Sequence, residues 1–404
     1  MPKRRIAGMT GSVLAFEAWD AGSHRSVRES IARHGRLDWR FLTRAGRSPR
    51  WRLRHAALDF ATSSRADPLE TAGEAPLAHD DVAAIFATGM LSLADLRAVL
   101  PRTLRNRPFI LSMHENQVAY PVSETVPNRT RDRDAHLAFT NLASVEAADR
   151  VVWNSRWNLE SFIEGMKVVL AHAPEPIDGG WIERLHSRSI VVPPPIETAE
   201  IEDAVILHNT SNPDYPDGST GRPATTCTYV AWPHRWEHDK GCEELLELAD
   251  EAARREDAGG PAIRWVILGH RPPDPPEAMK IMLHRHADRI AHAGELDRPE
   301  YLAWLCRCDW VLSTARHEFF GMAVAEALFA GCLPWLPARL AYPELVPTDA
   351  LNLNPWSRPS DEAIERLRTR ITSTIDRARA TVAVGRLETV LEETIGMIQA
   401  EESG

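Results

Sequence analysis

Short apolar runs recur along the chain between longer stretches of mixed polarity. The first, SVLAFE at 12–17, ends in the turn AWDAGSHRS, and a helical pattern starts near Ser23. Strand, glycine-bearing loop and helix in that order open an α/β domain. VAAIFA at 82–87, FILSM at 109–113, RVVW at 150–153 and residues 190–192 read as further strands, with helices over 91–100 and 134–147. That alternation predicts a parallel sheet covered by helices on both faces.

The rhythm stops at 193–225, where Pro193-Pro194-Pro195 is followed by a stretch rich in Asn, Asp, Pro, Gly, Ser and Thr. It resumes with TCTYVAW at 226–232 and continues through strands at 264–268, 289–293, 310–313 and 333–336. Helices are predicted at about 241–254, 298–307 and 322–330, and residues 361–402 form a long helical region of charged and aliphatic residues. The expected organisation is a first domain at 10–195, a linker or mobile loop at 196–225, a second domain at 226–350 and a C-terminal helical region at 351–404. Two doubly wound α/β domains in tandem place a ligand in the cleft between the sheets' carboxyl ends.

Composition fits a globular protein of two or three domains: 404 residues, 44% hydrophobic and 26% charged. Five cysteines, an odd number and all in the second half, argue against a disulfide framework and for a reducing, cytoplasmic setting. No apolar run approaches the roughly 18 residues of a membrane span, and MPKRRIAGMT lacks a signal core. The net charge of −10 argues against a nucleic-acid partner until it is divided. Residues 1–55 hold 13 basic against 4 acidic side chains, so a basic head precedes an acidic remainder. A solvated surface is the plain alternative for such a head.

Candidate chemistry gathers where strands end. In WVLSTARHEFFGMAVAEALFAG a strand closes at Ser313-Thr314 and a helix begins near Gly321, with Glu318 and Glu326 flanking the junction. Ionised carboxylates accept hydrogen bonds from sugar or ribose hydroxyls, and a helix start offers N–H groups to an anion. Glu326 lies among apolar neighbours and so needs a partner. In AWPHRWEHDKG, Arg235 and Lys240 supply two cations that can cradle a diphosphate and stabilise it as a leaving group. His234 and His238 lack further ligands at zinc spacing, so no metal is expected. His114, in MHENQVAYP after a strand, points at the cleft and is either structural or functional. Gly22-Ser23-His24 is a weak phosphate-loop signal. Neither G-x-G-x-x-G nor a P-loop is present, which counts against a dehydrogenase or P-loop nucleotidase. Cys306 and Cys308 read as buried thiols.

Together these segments resemble a family. Glu318-FFGMAVA-Glu326, with Arg235 and Lys240 five positions apart, resembles the GT-B glycosyltransferases of retaining glycosyltransferase family 4. WPHRWEHDKG, STARHEFFG, MHENQVAYP, EAWDAGSH, the stretch NSRWNLESF at 154–162, Tyr342-Pro343-Glu344 and residues 51–60 resemble, more narrowly, the tRNA-queuosine mannosyltransferases. The resemblance implies two Rossmann-like domains facing a central cleft, and transfer of mannose from GDP-mannose to queuosine in a tRNA anticodon. It implies that Arg235 and Lys240 bind the donor diphosphate. Glu318 and the backbone of Phe319, Phe320 and Gly321 would hold the transferred sugar, and Glu326 the ribose. His114 would line the sugar site, Gly22, Ser23 and His24 would lie beneath the diphosphate or acceptor, and residues around Gly294 and Leu296 would approach the base. The nucleotide sugar is then a substrate, and no resident cofactor or metal is expected. Two alternatives stay open: a related transferase with a lipid or small-molecule acceptor, and a non-catalytic RNA-binding protein on the same scaffold.

An RNA acceptor gives the basic head a use. Trp39, Phe41 and Trp51 interleave with Arg36, Arg40, Arg44, Arg47, Arg50, Arg52 and Arg54, a composition suited to base stacking and phosphate contact. The expected RNA-binding residues are Arg44, Arg47, Arg50, Arg52 and Arg54. Core packing is the competing assignment for each aromatic residue.

Overall fold

A computed structural model describes residues 11–69, 75–119, 131–211 and 227–403. The first chain segment runs β1 (Ser12–Asp20), α1 (Gly22–His34), β2 (Trp39–Ala45), α2 (Pro49–Ser63), β3 (Val82–Thr88), α3 (Leu93–Val99), α4 (Arg102–Arg105), β4 (Phe109–Met113), α5 (Arg131–Ala147), β5 (Arg150–Trp153), α6 (Arg156–Leu170), α7 (Trp181–Arg188) and β6 (Ser189–Val191). Its six strands pair in parallel in the order β2-β1-β3-β4-β5-β6. The first seven residues of β1 are all buried, as a central strand sandwiched by helices requires. Phe16, Phe60, Phe109, Trp153 and Phe162 fill this core.

The second segment runs α8 (Thr198–Ser211), β7 (Cys227–Pro233), α9 (Cys242–Asp257), β8 (Ala262–Leu268), α10 (Glu277–Arg285), β9 (Ile290–Gly294), α11 (Arg298–Arg307), β10 (Trp310–Leu312), α12 (Met322–Phe329), β11 (Leu333–Trp335) and α13 (Asp361–Ile375). Its five strands are parallel, in the order β11-β10-β7-β8-β9, around Trp232, Trp236, Trp265 and Trp310. The last helix, α14 (Ala380–Ser403), belongs to the first unit. The fold class is the expected α/β pair of doubly wound parallel sheets. Among the described residues no helix is long and apolar enough to cross a membrane, and all five cysteines are free.

The expected boundaries need three corrections. Residues 196–225 are not all linker: α8 occupies 198–211 and packs on α11 and α12, while 212–226 lie outside the described residues. Ile201 on α8 is fully buried, which a linker would not be. The region 351–404 is not one element, because α13 belongs to the second unit and α14 to the first. Residues 39–45 form a strand, β2, in what reads from sequence as a basic aromatic surface; Trp39 is buried there and stacks on Phe41.

The attachment of α14 explains the buried Trp39. Glu388 of α14 is completely buried and accepts from the Arg36 N–H (2.7 Å), the Leu37 N–H (2.8 Å) and the Trp39 indole N–H (3.0 Å). Gly35 lets the carboxylate in: a Cβ there would meet the Ile31 carbonyl at 2.5 Å and Glu388 Oε1 at 3.0 Å. Glu388→Ala should therefore cost about 3 kcal/mol or more, because it strands several buried donors. Urea unfolding of the full chain measures this, and an unchanged midpoint would refute it.

Candidate active site

Both sheets present their candidate residues at the carboxyl ends of the strands, where open parallel sheets bind ligands. In the second unit, the β7–α9 and β10–α12 loops meet at one buried ammonium. Lys240 is only 7% exposed. Its Nζ donates to the His317 carbonyl (2.9 Å) and lies 3.2 Å from Asp239 Oδ2 and 3.3 Å from Glu318 Oε2. Burial alone would lower the lysine's pKa, but Glu318 and Asp239 outweigh it and hold the ammonium charged. Burial likewise pushes Glu318 toward its neutral form, and Lys240 reverses that, so its pKa falls below the usual value.

The loop geometry is set by backbone fit. Gly241 starts α9 with φ +70°, and a Cβ there would sit 2.2 Å from the Thr314 carbonyl oxygen. The Thr314 hydroxyl donates to the Lys240 carbonyl (2.8 Å) and accepts from the Trp232 indole (2.9 Å). The Arg316 and His317 N–H groups both donate to the Asp239 carbonyl. Ser313 and the buried Tyr342 hydroxyl share a hydrogen bond beneath this junction. Gly321, at φ +90°, turns the chain from Glu318, Phe319 and Phe320 into α12. Both phenylalanines are buried, so their backbone, not their rings, is what the turn can offer a ligand.

His234 and His317 flank the ammonium. Burial, then the Lys240 charge, lowers each pKa to about 4, so both are neutral at pH 7. Arg235 is different: its side chain is 54% exposed and pairs with Glu237 at 3.1 Å. Glu326 has the partners its apolar surroundings demand, accepting from Arg298 (2.7 Å) and the Tyr301 hydroxyl (2.9 Å), both on α11. Gly294, at φ +135°, ends the edge strand β9, and its carbonyl accepts from the Gly269 N–H. Leu296 is half-buried against the core.

In the first unit a carboxylate lies beneath two imidazoles. Glu17, at the end of β1, accepts from the Trp19 N–H (2.7 Å) and the Thr88 hydroxyl (3.0 Å), and its Oε2 lies 3.2 Å from His24 Nδ1. The His24 ring stacks on His114, centroids 4.2 Å apart. Burial would neutralise both members of the Glu17–His24 pair, but each holds the other charged: Glu17 is lowered and His24 raised. His114 carries the opposite shift, to about 3, through burial and the adjacent His24 charge. Its buried Nε2 has no hydrogen-bond partner among the described residues. Two concavities share His114, one lined by Glu17, His24 and Thr88, the other by Asn154 and the Pro193-Pro194-Pro195 run. Asn154 and Asn158 fix the loop, donating to the His114 and Met113 carbonyls. Gly22 and Ser23 are exposed at the start of α1, with Gly22 at φ +51°. Residues 120 and 121 of the motif lie outside the described residues.

Comparison with known proteins gives this arrangement a family. Residues 12–196 match the model described as tRNA-queuosine alpha-mannosyltransferase N-terminal. A Drosophila melanogaster protein named tRNA-queuosine alpha-mannosyltransferase is 30% identical over 344 residues, covering 84% of this chain and 82% of its own. The chain belongs to the tRNA-queuosine alpha-mannosyltransferase family. Solved structures agree in fold. A Burkholderia vietnamiensis trehalose-phosphate synthase covers 96% of this chain and 100% of its own at a TM-score of 0.61 and 12% identity. Anabaena HepE, solved in complex with UDP, covers 97% and 100% at 0.53 and 13%. The fold of this family member is thus the GT-B architecture of glycosyltransferases.

Within the family assignment, the sequence missed Glu17, Thr88, Asp239, Arg298 and Tyr301. Glu17 had a signal, a charge inside an otherwise apolar strand, which burial makes costly without a partner. The basic cluster divides. Arg44 is taken up by Asp59 (2.5 Å) and lies over the Phe60 ring, so it braces β2 on α2 and is no free RNA contact. Arg52 donates to the Ala45 carbonyl and Arg54 to Thr140, whereas Arg47 and Arg50 are exposed.

Two pH effects of opposite sign follow. His114, His234 and His317 take up protons near their ordinary value of 6.5 when unfolded, but only near 3 to 4 when folded. Stability should then fall as pH drops from about 6.5 toward 4, by about 1.4 kcal/mol per pH unit for each proton. His234→Asn should remove one proton's share of the slope measured by urea unfolding; an unchanged slope would sink the assignment. His24, with its raised pKa, contributes stability that is full below about 6.5 and is lost as pH rises through its folded value. Glu17→Gln should shift the His24 ring titration, followed by NMR, to lower pH. No shift would show that Glu17 does not hold its charge.

Proposed function

We propose that this glycosyltransferase moves mannose from GDP-mannose, with retention, to a hydroxyl of queuosine in a tRNA anticodon. The relationship to the fly tRNA-queuosine alpha-mannosyltransferase, 30% identical over 84% of this chain, is the observation that carries the reading. A tRNA acceptor makes the cytoplasm its place of action. Arg235 meets the diphosphate with an exposed planar fork. Lys240 contributes positive potential from behind, because its three N–H groups are already engaged by His317, Asp239 and Glu318. A donor diphosphate that draws Nζ toward itself competes with the longer contact to Glu318. Glu318 is then released to accept from hydroxyls of the transferred sugar. Glu326, oriented by Arg298 and Tyr301, keeps a lone pair on each oxygen for the ribose. Gly294 and Leu296 border the base.

In the transfer step the bond between the anomeric carbon and the diphosphate oxygen breaks and the acceptor oxygen bonds to that carbon on the same face. The acceptor's proton passes to the departing diphosphate oxygen. The protein's task is positioning and electrostatic stabilisation of the leaving group, with no protein nucleophile, resident cofactor or metal. His114, kept neutral, offers Nε2 as an acceptor to a sugar hydroxyl, and Gly22, Ser23 and His24 present a helix start and an imidazolium to the diphosphate or acceptor.

Purified protein incubated with GDP-mannose and queuosine-bearing tRNA should yield a hexosyl-queuosine nucleoside by mass spectrometry. Absence of the product, or its formation only from another nucleotide sugar, would overturn the acceptor or donor assignment respectively. Arg235→Ala should lower kcat/KM about tenfold or more, mainly through donor KM. Glu318→Gln should lower it about a hundredfold or more while the protein stays folded. Lys240→Ala is a poorer probe, because it leaves Asp239 and Glu318 buried without their cation.

A further inference from the structure

α2 has a face that the fold does not use. Its inward positions Leu53, Ala56, Ala57, Phe60 and Ala61 are buried. On the opposite side Trp51 is 72% exposed and Leu58 57%, with His55 exposed between them, one turn from each. An indole this open is unusual in a chain that buries most of its aromatic residues. The Trp51 and His55 rings lie 6.2 Å apart at 69°, so His55 covers at most one face of the indole.

The charge around Trp51 is of one sign. From Trp39 to Leu58 the sequence holds six arginines and no acidic residue. Asp38 pairs with Arg40 and Asp59 with Arg44, which removes two of the six. Arg52 turns back to the Ala45 carbonyl. Arg47, Arg50 and Arg54 remain exposed within four positions of Trp51 and meet no carboxylate among the described residues, Arg54 keeping donors beyond its one bond to Thr140. Trp39 and Phe41 drop out as partners, since β2 takes them into the sheet.

We infer that this face of α2 is a docking surface for unpaired RNA nucleotides, with Trp51 as the stacking platform and Arg47, Arg50 and Arg54 as phosphate contacts. The inference rests on the tRNA reading above and adds where the RNA is held. A single aromatic platform ringed by arginines suits splayed bases and their phosphates, because every base has a face to stack and each phosphate carries a charge. A membrane surface would call for a broad apolar stripe, and this face has only Trp51 and Leu58.

The test uses the full chain and a labelled RNA hairpin with a seven-nucleotide unpaired loop, beside a fully paired RNA duplex of the same length. Trp51→Ala should weaken hairpin binding about tenfold and leave duplex binding nearly unchanged. Trp51→Phe should recover most of the loss. Alanine at Arg47, Arg50 or Arg54 should flatten the slope of log affinity against log salt by about 0.7 to 0.9 each. Donor-nucleotide binding measured by calorimetry should stay at the wild-type value in all five variants, which confirms that they are folded. Wild-type hairpin affinity in Trp51→Ala, or unchanged slopes in the arginine variants, would overturn the surface while tRNA mannosylation by the same variants left the functional reading standing. Transfer failing with intact, Trp51-dependent hairpin binding would do the reverse. Equal competition by polyglutamate, with the same dependence on Trp51, would assign the face to an acidic protein and overturn the RNA proposal.

Discussion

The ammonium of Lys240 sits almost out of reach of water, and three oxygens from two loops close around it. A charge placed there without partners would cost several kcal/mol, so the loops have no low-energy arrangement that leaves it unpaired. Much else in the second unit follows from that demand. Gly241 must be glycine for the helix to start where Lys240 can turn inward, since any Cβ would strike the Thr314 carbonyl. Thr314 must present its hydroxyl to both Lys240 and Trp232. Glu318 is held ionised and aimed before any ligand arrives. The cluster therefore ties the β7–α9 and β10–α12 loops together at one nitrogen.

The first unit solves a similar problem with the signs exchanged. There the buried carboxylate of Glu17 is the fixed point, supplied with donors by Trp19, Thr88 and His24. Glu17 raises the pKa of His24, while burial and then His24 lower that of the ring stacked on it, so His114 stays neutral at pH 7. The stacked pair is shifted in opposite directions, and His114 presents an Nε2 with no partner among the described residues.

Much of this was legible in the sequence. The alternation of apolar runs predicted the parallel sheets, and the spacing of Glu318, Arg235 and Lys240 pointed to the second unit's loops. What could not be read was pairing across distance. Glu326 signals only that it needs partners; that Arg298 and Tyr301 supply them depends on α11 lying against α12, which no local pattern states. Residues 39–45 fail as a strand signal because one side of an edge strand is solvated and here that side carries arginine. The helix α8 hides because the polar, proline-rich stretch after it colours the whole segment as linker. α14 joins the first unit by packing on α1 and β3, and its buried Glu388 accepts from donors some 350 positions earlier in the chain.

The basic head shows why a residue count does not identify a nucleic-acid surface. Six arginines between Trp39 and Leu58 look equivalent in sequence, yet they divide once β2 lies beside α2. An arginine whose neighbour across that seam is a carboxylate is spent on the fold: Arg44 spans from β2 to Asp59 and covers Phe60. Arg50, on the first turn of α2, is exposed and meets no carboxylate among the described residues. Pairing lowers the field the first kind can offer an approaching phosphate, whereas the second kind offers its full charge. On the docking surface inferred for α2, the charge that counts is neither the −10 of the whole chain nor the excess of its first 55 residues, but the few guanidinium groups near Trp51 in sequence that meet no carboxylate among the described residues.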